Sequence, residues 1–259
     1  MMDYEQQLLQ IYREDPCRTL PNAFWKTARQ MDNSRLSIRR DQSGNLSALA
    51  LWHEAKLLSF WAVDPGKHPL TPRQVSKVPF ALVHETALPI FESRQFSRRE
   101  PYFRLFHPGD APEHHCPNGF VYQDVNTETE IESVASFIKA CYKDMAVNSN
   151  IVRGWLNQPV FAPDLWIWIM DESTGQPAGL GIAELDWHVP EASLEWIQVL
   201  PGYQKQGLGT AIVSELLRRI PEEARFTTVA GRADSAAQPE RLYRGCGFSG
   251  SDVWWLLRK

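Results

Sequence analysis

Hydrophobic and polar positions recur along this chain with two periods, and the places where the period changes mark its elements. Between Asp3 and Arg13, the residues Tyr4, Leu8, Leu9, Ile11 and Tyr12 fall on one side of a helix. Three short runs follow, Leu36 to Arg40, Leu46 to Trp52 and Leu57 to Val63, separated by Asp41-Gln42-Ser43-Gly44-Asn45 and by His53-Glu54-Ala55. They predict a meander of antiparallel strands. From Thr71 to Phe106 the pattern weakens, and Pro79, Pro89 and Pro101 forbid one long helix, since each lacks an N–H and clashes with the turn before it. The stretch His107 to Asn118, with three prolines and Gly109, reads as a linker or long loop. A boundary is expected there, giving domains at residues 1–117 and 118–259.

Beyond the boundary the pattern sharpens. A strand is expected at Phe120 to Val125, then a helix capped by Thr127 with Glu130 reaching back. Ile131, Val134, Ala135, Ile138, Cys141, Tyr142 and Met145 follow on one helical face. A second helix, about Ser149 to Leu156, is stopped by Pro159. Leu165 to Met170 and Ala178 to Leu185 flank a polar turn holding Gly175, which is a hairpin signal. Next come a strand at Leu194 to Val199, a helix to about Arg219, a strand near Phe226 to Ala230, a short helix around Pro239 to Arg244 and a last strand at Asp252 to Leu257. The expected order is β-α-α-β-β-β-α-β-α-β.

Composition places the chain among globular proteins. Of its 259 residues, 43% are hydrophobic and 22% charged, enough to bury a core. A net charge of -4 and a pI near 6.0 leave no electrostatic footprint for nucleic acid. Residues 1–118 carry 15 basic and 13 acidic side chains and residues 119–259 carry 12 and 18, so the acidity lies in the second half. A cationic substrate would profit from it, as would solubility alone. Cys17, Cys116, Cys141 and Cys246 are far apart and form no CxxC pair, which predicts reduced thiols and a cytoplasmic location. The N-terminus lacks the basic and apolar regions of a secretion signal, and no run approaches the ~18 apolar residues of a membrane span.

One segment concentrates chemistry: Val199-Leu200-Pro201-Gly202-Tyr203-Gln204-Lys205-Gln206-Gly207-Leu208-Gly209-Thr210, a strand end running through glycines into an amphipathic helix with Ile212, Val213, Leu216, Leu217 and Ile220 on its buried stripe. A helix N-terminus offers unpaired amides and a positive dipole end, which suit a pyrophosphate. Gly202 and Gly207 have Walker A spacing, but Leu208 and Gly209 stand where Lys and Ser or Thr are needed. Gly207-Leu208-Gly209 opens a dinucleotide fingerprint that fails at Ile212.

The segment resembles the acetyl-CoA signature of the GNAT N-acetyltransferase superfamily: Gln or Arg, two variable residues, Gly, one variable residue, then Gly or Ala, met here by Gln204, Gly207 and Gly209. Trp196-Ile197-Gln198-Val199-Leu200-Pro201 resembles the family's preceding strand, and Leu242-Tyr243-Arg244-Gly245-Cys246-Gly247-Phe248 resembles its second signature. The resemblance covers roughly residues 118 to 259. Ala236 stands where the family often has Asn and Pro239 where it often has Ala, near the expected pantetheine arm. The fold implied is α/β (α+β): a mixed, mostly antiparallel sheet flanked by helices. A degenerate second copy would account for the N-terminal α/β domain, which lacks the acetyl-CoA signature and is therefore expected not to bind CoA.

The implied activity is transfer of an acetyl group from acetyl-CoA, as co-substrate, to a primary amine of a small molecule or peptide, by direct attack in a ternary complex. The resemblance assigns the pantetheine and acyl carbonyl to the backbone of Ile197 and Val199, and the pyrophosphate to Gln204, Lys205, Gln206, Gly207, Leu208, Gly209 and Thr210. Tyr243 falls where the family often keeps a general acid, and a phenol with an ordinary pKa of about 10 is a donor at neutral pH. For the base, Glu195 lies on the strand before the loop, with Glu184 and Asp186 near the end of the preceding strand. Alternation puts Glu195 on the side of Ile197 and Val199. Two other readings stay open, a non-catalytic acyl-CoA-sensing module and a transferase using a longer acyl-CoA.

The remaining chemical side chains are read as structural. His107, His114, His115 and Cys116 lack zinc-ligand spacing, so no metal is expected. Cys246 has no neighbouring His to activate it. Arg94, Arg98, Arg99 and Arg104 form a basic cluster expected to be solvated, and Trp166 and Trp168 are expected in the core. No nucleic-acid or membrane partner is expected, and oligomeric state is not legible.

Overall fold

The computed structural model describes residues 3–91, 96–109, 115–142 and 146–259. Its contacts form two units: Met1–Phe106 with Ala230–Glu240 and Ser249–Lys259, and His107–Val229 with Arg241–Phe248. The first division falls between Phe106 and His107, and two C-terminal segments return to the first unit.

The first unit runs through α1 (Asp3–Glu14), α2 (Pro16–Thr19), α3 (Phe24–Met31), β1 (Arg35–Arg40), β2 (Leu46–His53), β3 (Lys56–Ala62), α4 (Pro72–Lys77), β4 (Phe80–His84), a 3-10 segment Glu85–Phe91 and β5 (Arg98–His107). The stretch where the pattern fades thus holds a helix, two strands and a 3-10 segment. The chain's last strand, β11 (Ser249–Arg258), lies between β4 and β5, antiparallel to both. The order is β1-β2-β3-β4-β11-β5, with a parallel contact only at β3–β4. Leu57, Phe60, Ala81, Val83, Phe91 and Leu257 share its core.

The expected basic cluster does not form one patch. Arg98 and Arg99 are exposed, but Arg104 is buried and donates from Nη2 to the Tyr12 hydroxyl at 2.7 Å. Arg94 lies outside the described residues.

The second unit contains β6 (Phe120–Asp124), α5 (Ile131–Cys141), α6 (Ser149–Leu156), β7 (Trp166–Asp171), β8 (Gln176–Asp186), β9 (Glu191–Val199), α7 (Leu208–Arg219), the first part of β10 (Phe226–Arg232) and most of α8 (Pro239–Gly245). Its strand order is β10-β9-β8-β7-β6, antiparallel except for β9 and β10. Trp166, Trp168, Leu180 and Ile182 pack on one sheet face against Val134, Phe137, Ile138 and Val152 of α5 and α6. The expected Thr127 cap is not formed: the N-cap of α5 is Glu130, with no side-chain cap hydrogen bond. In the turn before it, the Asn126 side chain accepts from the backbone N–H groups of Glu128 and Thr129, and Glu130 reaches back to the Asn126 N–H at 2.7 Å.

On the opposite face α7 approaches the sheet closely. A Cβ on Gly179 would lie 2.8 Å from Ile212 Cδ1, and one on Gly181 2.4 Å from Ile212 Cγ2. Any larger residue there forces the helix outward. Arg219, in the last turn of α7, donates to Glu215 at 2.7 Å and to Asp124 of β6 at 2.5 Å. Burial pushes the Glu215 carboxyl up, but hydrogen bonds from Arg218 and Arg219 outweigh it and hold the pKa below the usual carboxylate value. The helix is therefore clamped by packing at its middle and charge at its end.

In chain order, the elements from α1 to β5 and those from α5 to β11 follow one sequence: two or more helices, three strands, a helix, a strand, a short helical segment and a strand. Among the described residues, no helix is long and apolar enough to cross a membrane.

Candidate active site

The site begins where β9 leaves its neighbour. Glu191 to Leu194 pair in parallel with Phe226 to Val229 of β10, and the ladder stops there. On the other edge, Ile182 faces Trp196 while the next residue, Ala183, faces Leu194. Glu195 is therefore an extra residue, a β-bulge, which kinks the strand and re-aims its side chain. The residues from Trp196 to Val199 keep β8 on one edge and lack the β10 ladder on the other.

The bulge corrects the expectation from alternation. Glu195 does not share a side with Ile197 and Val199; it lines a slot with Trp155, Phe161, Trp166, Trp196 and Glu184. The Ser193 hydroxyl lies 3.0 Å from Glu195 Oε1 and 3.4 Å from Glu184 Oε2. Two of the three candidate bases are thus brought together. Asp186 is set apart at the end of the hairpin, where it accepts from the His188 N–H at 2.8 Å. Nothing in the sequence singled out Gln198. It is buried on the face that carries Trp196, and neither atom of its amide has a hydrogen-bond partner among the described residues.

After β9, a 3-10 turn Pro201–Tyr203 leads to the helix start. Gly207 caps α7 with φ of 82°, a left-handed conformation that glycine reaches without strain, and no side chain caps the helix. The first amides of α7 are thereby left for a ligand, the opposite of α4, whose start is closed by a reciprocal pair of Thr71 and Gln74. Gln204, Lys205 and Gln206 are exposed, Leu208 is buried, and Gly209 and Thr210 are intermediate. Gly209 is small for a local reason: a Cβ would meet Leu242 of α8 at 3.2 Å. The Gln204 amide folds back on the strand end, donating to the Val199 carbonyl at 3.4 Å.

The turn is anchored from β7. The Tyr203 hydroxyl donates to Asp171 Oδ2 at 2.8 Å, and its ring meets Phe120 edge-on at 6.0 Å. Hydrogen bonds from Ser173 and then Tyr203 lower the Asp171 pKa to about 2. Tyr203→Phe is expected to return Asp171 toward an ordinary carboxylate and to loosen the turn. The first effect is read by NMR titration of the carboxyl, and the second as a KM for acyl-CoA raised about threefold to tenfold, since one such bond is worth about 1 kcal/mol.

Tyr243 sits on α8 with 8% of its surface exposed, its ring edge-on to Phe248 at 5.7 Å. Burial pushes its pKa well above the ordinary phenol value, and nearby Tyr142 and the Glu195 carboxylate add to the push. The hydroxyl is therefore a protonated donor throughout the neutral range. Cys246 is fully buried, with its thiol pKa raised by burial, so no activated nucleophile stands there. His107 is buried against Phe248, and its Nδ1 accepts from the Gly109 N–H at 3.1 Å. His114 lies outside the described residues, and among those described no three His, Cys, Asp or Glu side chains form a metal-binding group.

Comparison with known proteins meets this geometry at the same residues. Residues 126–248 match the acetyltransferase (GNAT) family. The match supports an acyltransferase, and proteins of the matching family move acyl groups from acyl-CoA to amines. The fold is similar to a GCN5-related N-acetyltransferase from Sphaerobacter thermophilus, with a TM-score of 0.67 and 14% identity over 91% of this chain and 84% of that one. It is also similar to a GNAT-family acetyltransferase from Colwellia psychrerythraea, with a TM-score of 0.63 and 11% identity over 100% and 98%. A tandem GNAT protein from the clavulanic acid biosynthesis pathway aligns with a TM-score of 0.57 and 13% identity over 99% and 94%. The N-terminal part of this chain thus fits a tandem arrangement of the GNAT fold, in accord with its repeated element order. No curated protein gives a significant match.

Proposed function

We propose that the GNAT domain transfers an acetyl group from acetyl-CoA to a primary amine by direct attack within a ternary complex. The carrying observation is the bulged strand β9, parted from β10 after Leu194 and leading into a helix whose first amides no side chain caps. A thioester arm needs an open strand edge, and a pyrophosphate needs free amides at a helix start. Ile197 and Val199 would hold the pantetheine and the acyl carbonyl with their backbone, and residues Gln204 to Thr210 the pyrophosphate. The acyl-CoA supplies the thioester; the chain supplies placement and proton movement.

Glu195, acting directly or through a water, takes the proton that the ammonium must lose before its nitrogen can attack. Tyr243 points to a narrower role than full general acid. A phenol held above its ordinary pKa does not surrender its proton to a thiolate whose conjugate acid lies near 8.5, so its contribution is a hydrogen bond to the departing sulfur. The division of labour belongs to the same proposal: residues 118–259 carry the chemistry, and residues 1–117, whose α4 amides are already satisfied by Thr71 and Gln74, bind no CoA.

Calorimetric titration of the full chain with acetyl-CoA, followed by a thiol-release screen over small amines, antibiotics and peptide N-termini, tests this. Saturable binding with one site per chain and turnover of at least one amine are expected. Absence of binding sinks the proposal, and binding without turnover replaces it with the sensing module. Propionyl- and succinyl-CoA in the same screen decide the acyl length.

A further inference from the structure

The slot beside the bulge has a chemistry of its own. Trp155 and Trp196 stack with centroids 5.2 Å apart and planes 23° from parallel. Trp166 meets Trp155 edge-on at 6.3 Å and Phe161 at 5.7 Å. Of these rings only Trp166 is fully buried; the others are partly exposed at the margin of the core cluster, so they border an opening. Glu184 and Glu195 complete the lining. The enclosed room is about that of a single water molecule, which is also the size of an ammonium group.

We propose that this slot seats the acceptor's ammonium, and that the acceptor is a slender aliphatic amine, unbranched at the carbon bearing nitrogen. This rests on the transferase reading above. Aromatic faces carry the negative end of a quadrupole and attract a cation, most strongly where water is excluded. The two carboxylates strengthen the case independently. Both lie within reach of the one Ser193 hydroxyl, 3.0 Å from Glu195 Oε1 and 3.4 Å from Glu184 Oε2, so they converge on one side of the slot, where a cation is attracted by both. Peptide N-termini and α-amino acids are disfavoured, since a substituent on the first carbon overfills the slot and a free carboxylate faces two others.

Calorimetric titrations of the full chain with hexylamine, cyclohexylamine and hexan-1-ol separate size from charge. Hexylamine is expected to bind at least about tenfold more tightly than either of the others. Trp155→Leu and Glu184→Gln are each expected to weaken hexylamine about tenfold, to raise its KM by the same factor with kcat kept within about twofold, and to leave acetyl-CoA affinity unchanged. Equal affinity for the three probes, or unchanged hexylamine affinity in both variants, overturns the assignment. A variant that also loses acetyl-CoA has lost its fold, and the three-probe comparison on the unaltered chain then decides alone. If no amine is turned over, the transferase reading fails while the titrations still judge the slot.

Discussion

Tyr243→Phe is expected to lower kcat about 100-fold while leaving the KM for acetyl-CoA within about twofold, because one hydrogen-bond donor aimed at developing charge typically contributes that order of rate. Phe keeps the ring contact with Phe248 and removes only the oxygen. The pH profile sharpens the test. The folded pKa of Tyr243 is raised, so the hydroxyl stays protonated past the ordinary value near 10, and its titration cannot set an alkaline limit on kcat below that pH. Linkage gives the matching stability statement: the advantage of the buried neutral phenol is fully present below the unfolded pKa and is lost as pH rises through the folded one. The variant should therefore lose part of the alkaline destabilisation seen in the parent chain. A purely structural hydroxyl would show the reverse, with kcat preserved and the urea midpoint lowered at neutral pH.

Gly181→Val should be the most damaging single change in the packing. Even an Ala methyl at this position falls 2.4 Å from Ile212 Cγ2, 3.1 Å from Ile167 Cγ1 and 3.1 Å from Leu216 Cδ1. Overpacking of this kind costs about 1 to 3 kcal/mol, and valine adds two methyl groups to the same gap. A fall in the urea midpoint at unchanged slope reads the loss. Function follows because Ile212 and Leu216 lie on α7, the helix whose first turn begins at Gly207. Pushing it outward displaces the amides proposed to hold the pyrophosphate, so Gly181→Ala, the milder variant, should raise the KM for acetyl-CoA several-fold while still folding. An unchanged midpoint for both variants would mean that the sheet yields where the geometry says it cannot.

Legibility varied with the physics that each element obeys. Helix α6 stands where its Ser149 to Leu156 pattern placed it, and the strand, turn and helix around Gly207 follow the expected order, because short-range periodicity and glycine punctuation are local properties. Helices α2 and α3 went unread between the first helix and the strand meander, being only 4 and 8 residues long. The stretch Thr71 to Phe106 shows the same limit. Its β4 and β5 are stabilised by pairing with β11, a segment more than 140 residues later, and no window of local sequence contains that partner.

In the site, the glycine-bearing turn, the open strand and Tyr243 were all readable, since backbone conformation and residue type announce them. The bulge at Glu195 was not. It is a mismatch of register between β8 and β9, a property of two strands together, and it moves one carboxylate from the face that alternation assigns to the face that holds Glu184 and three tryptophans. Gly179 and Gly181 likewise read as ordinary strand residues until Ile212 is seen against them. Residue order along the chain was enough for the fold class and the GNAT signature, because those depend on contiguous residues. The face that Glu195 occupies, the rings around it and the closeness of α7 depend on contacts between distant segments, and these exist only once the chain has packed.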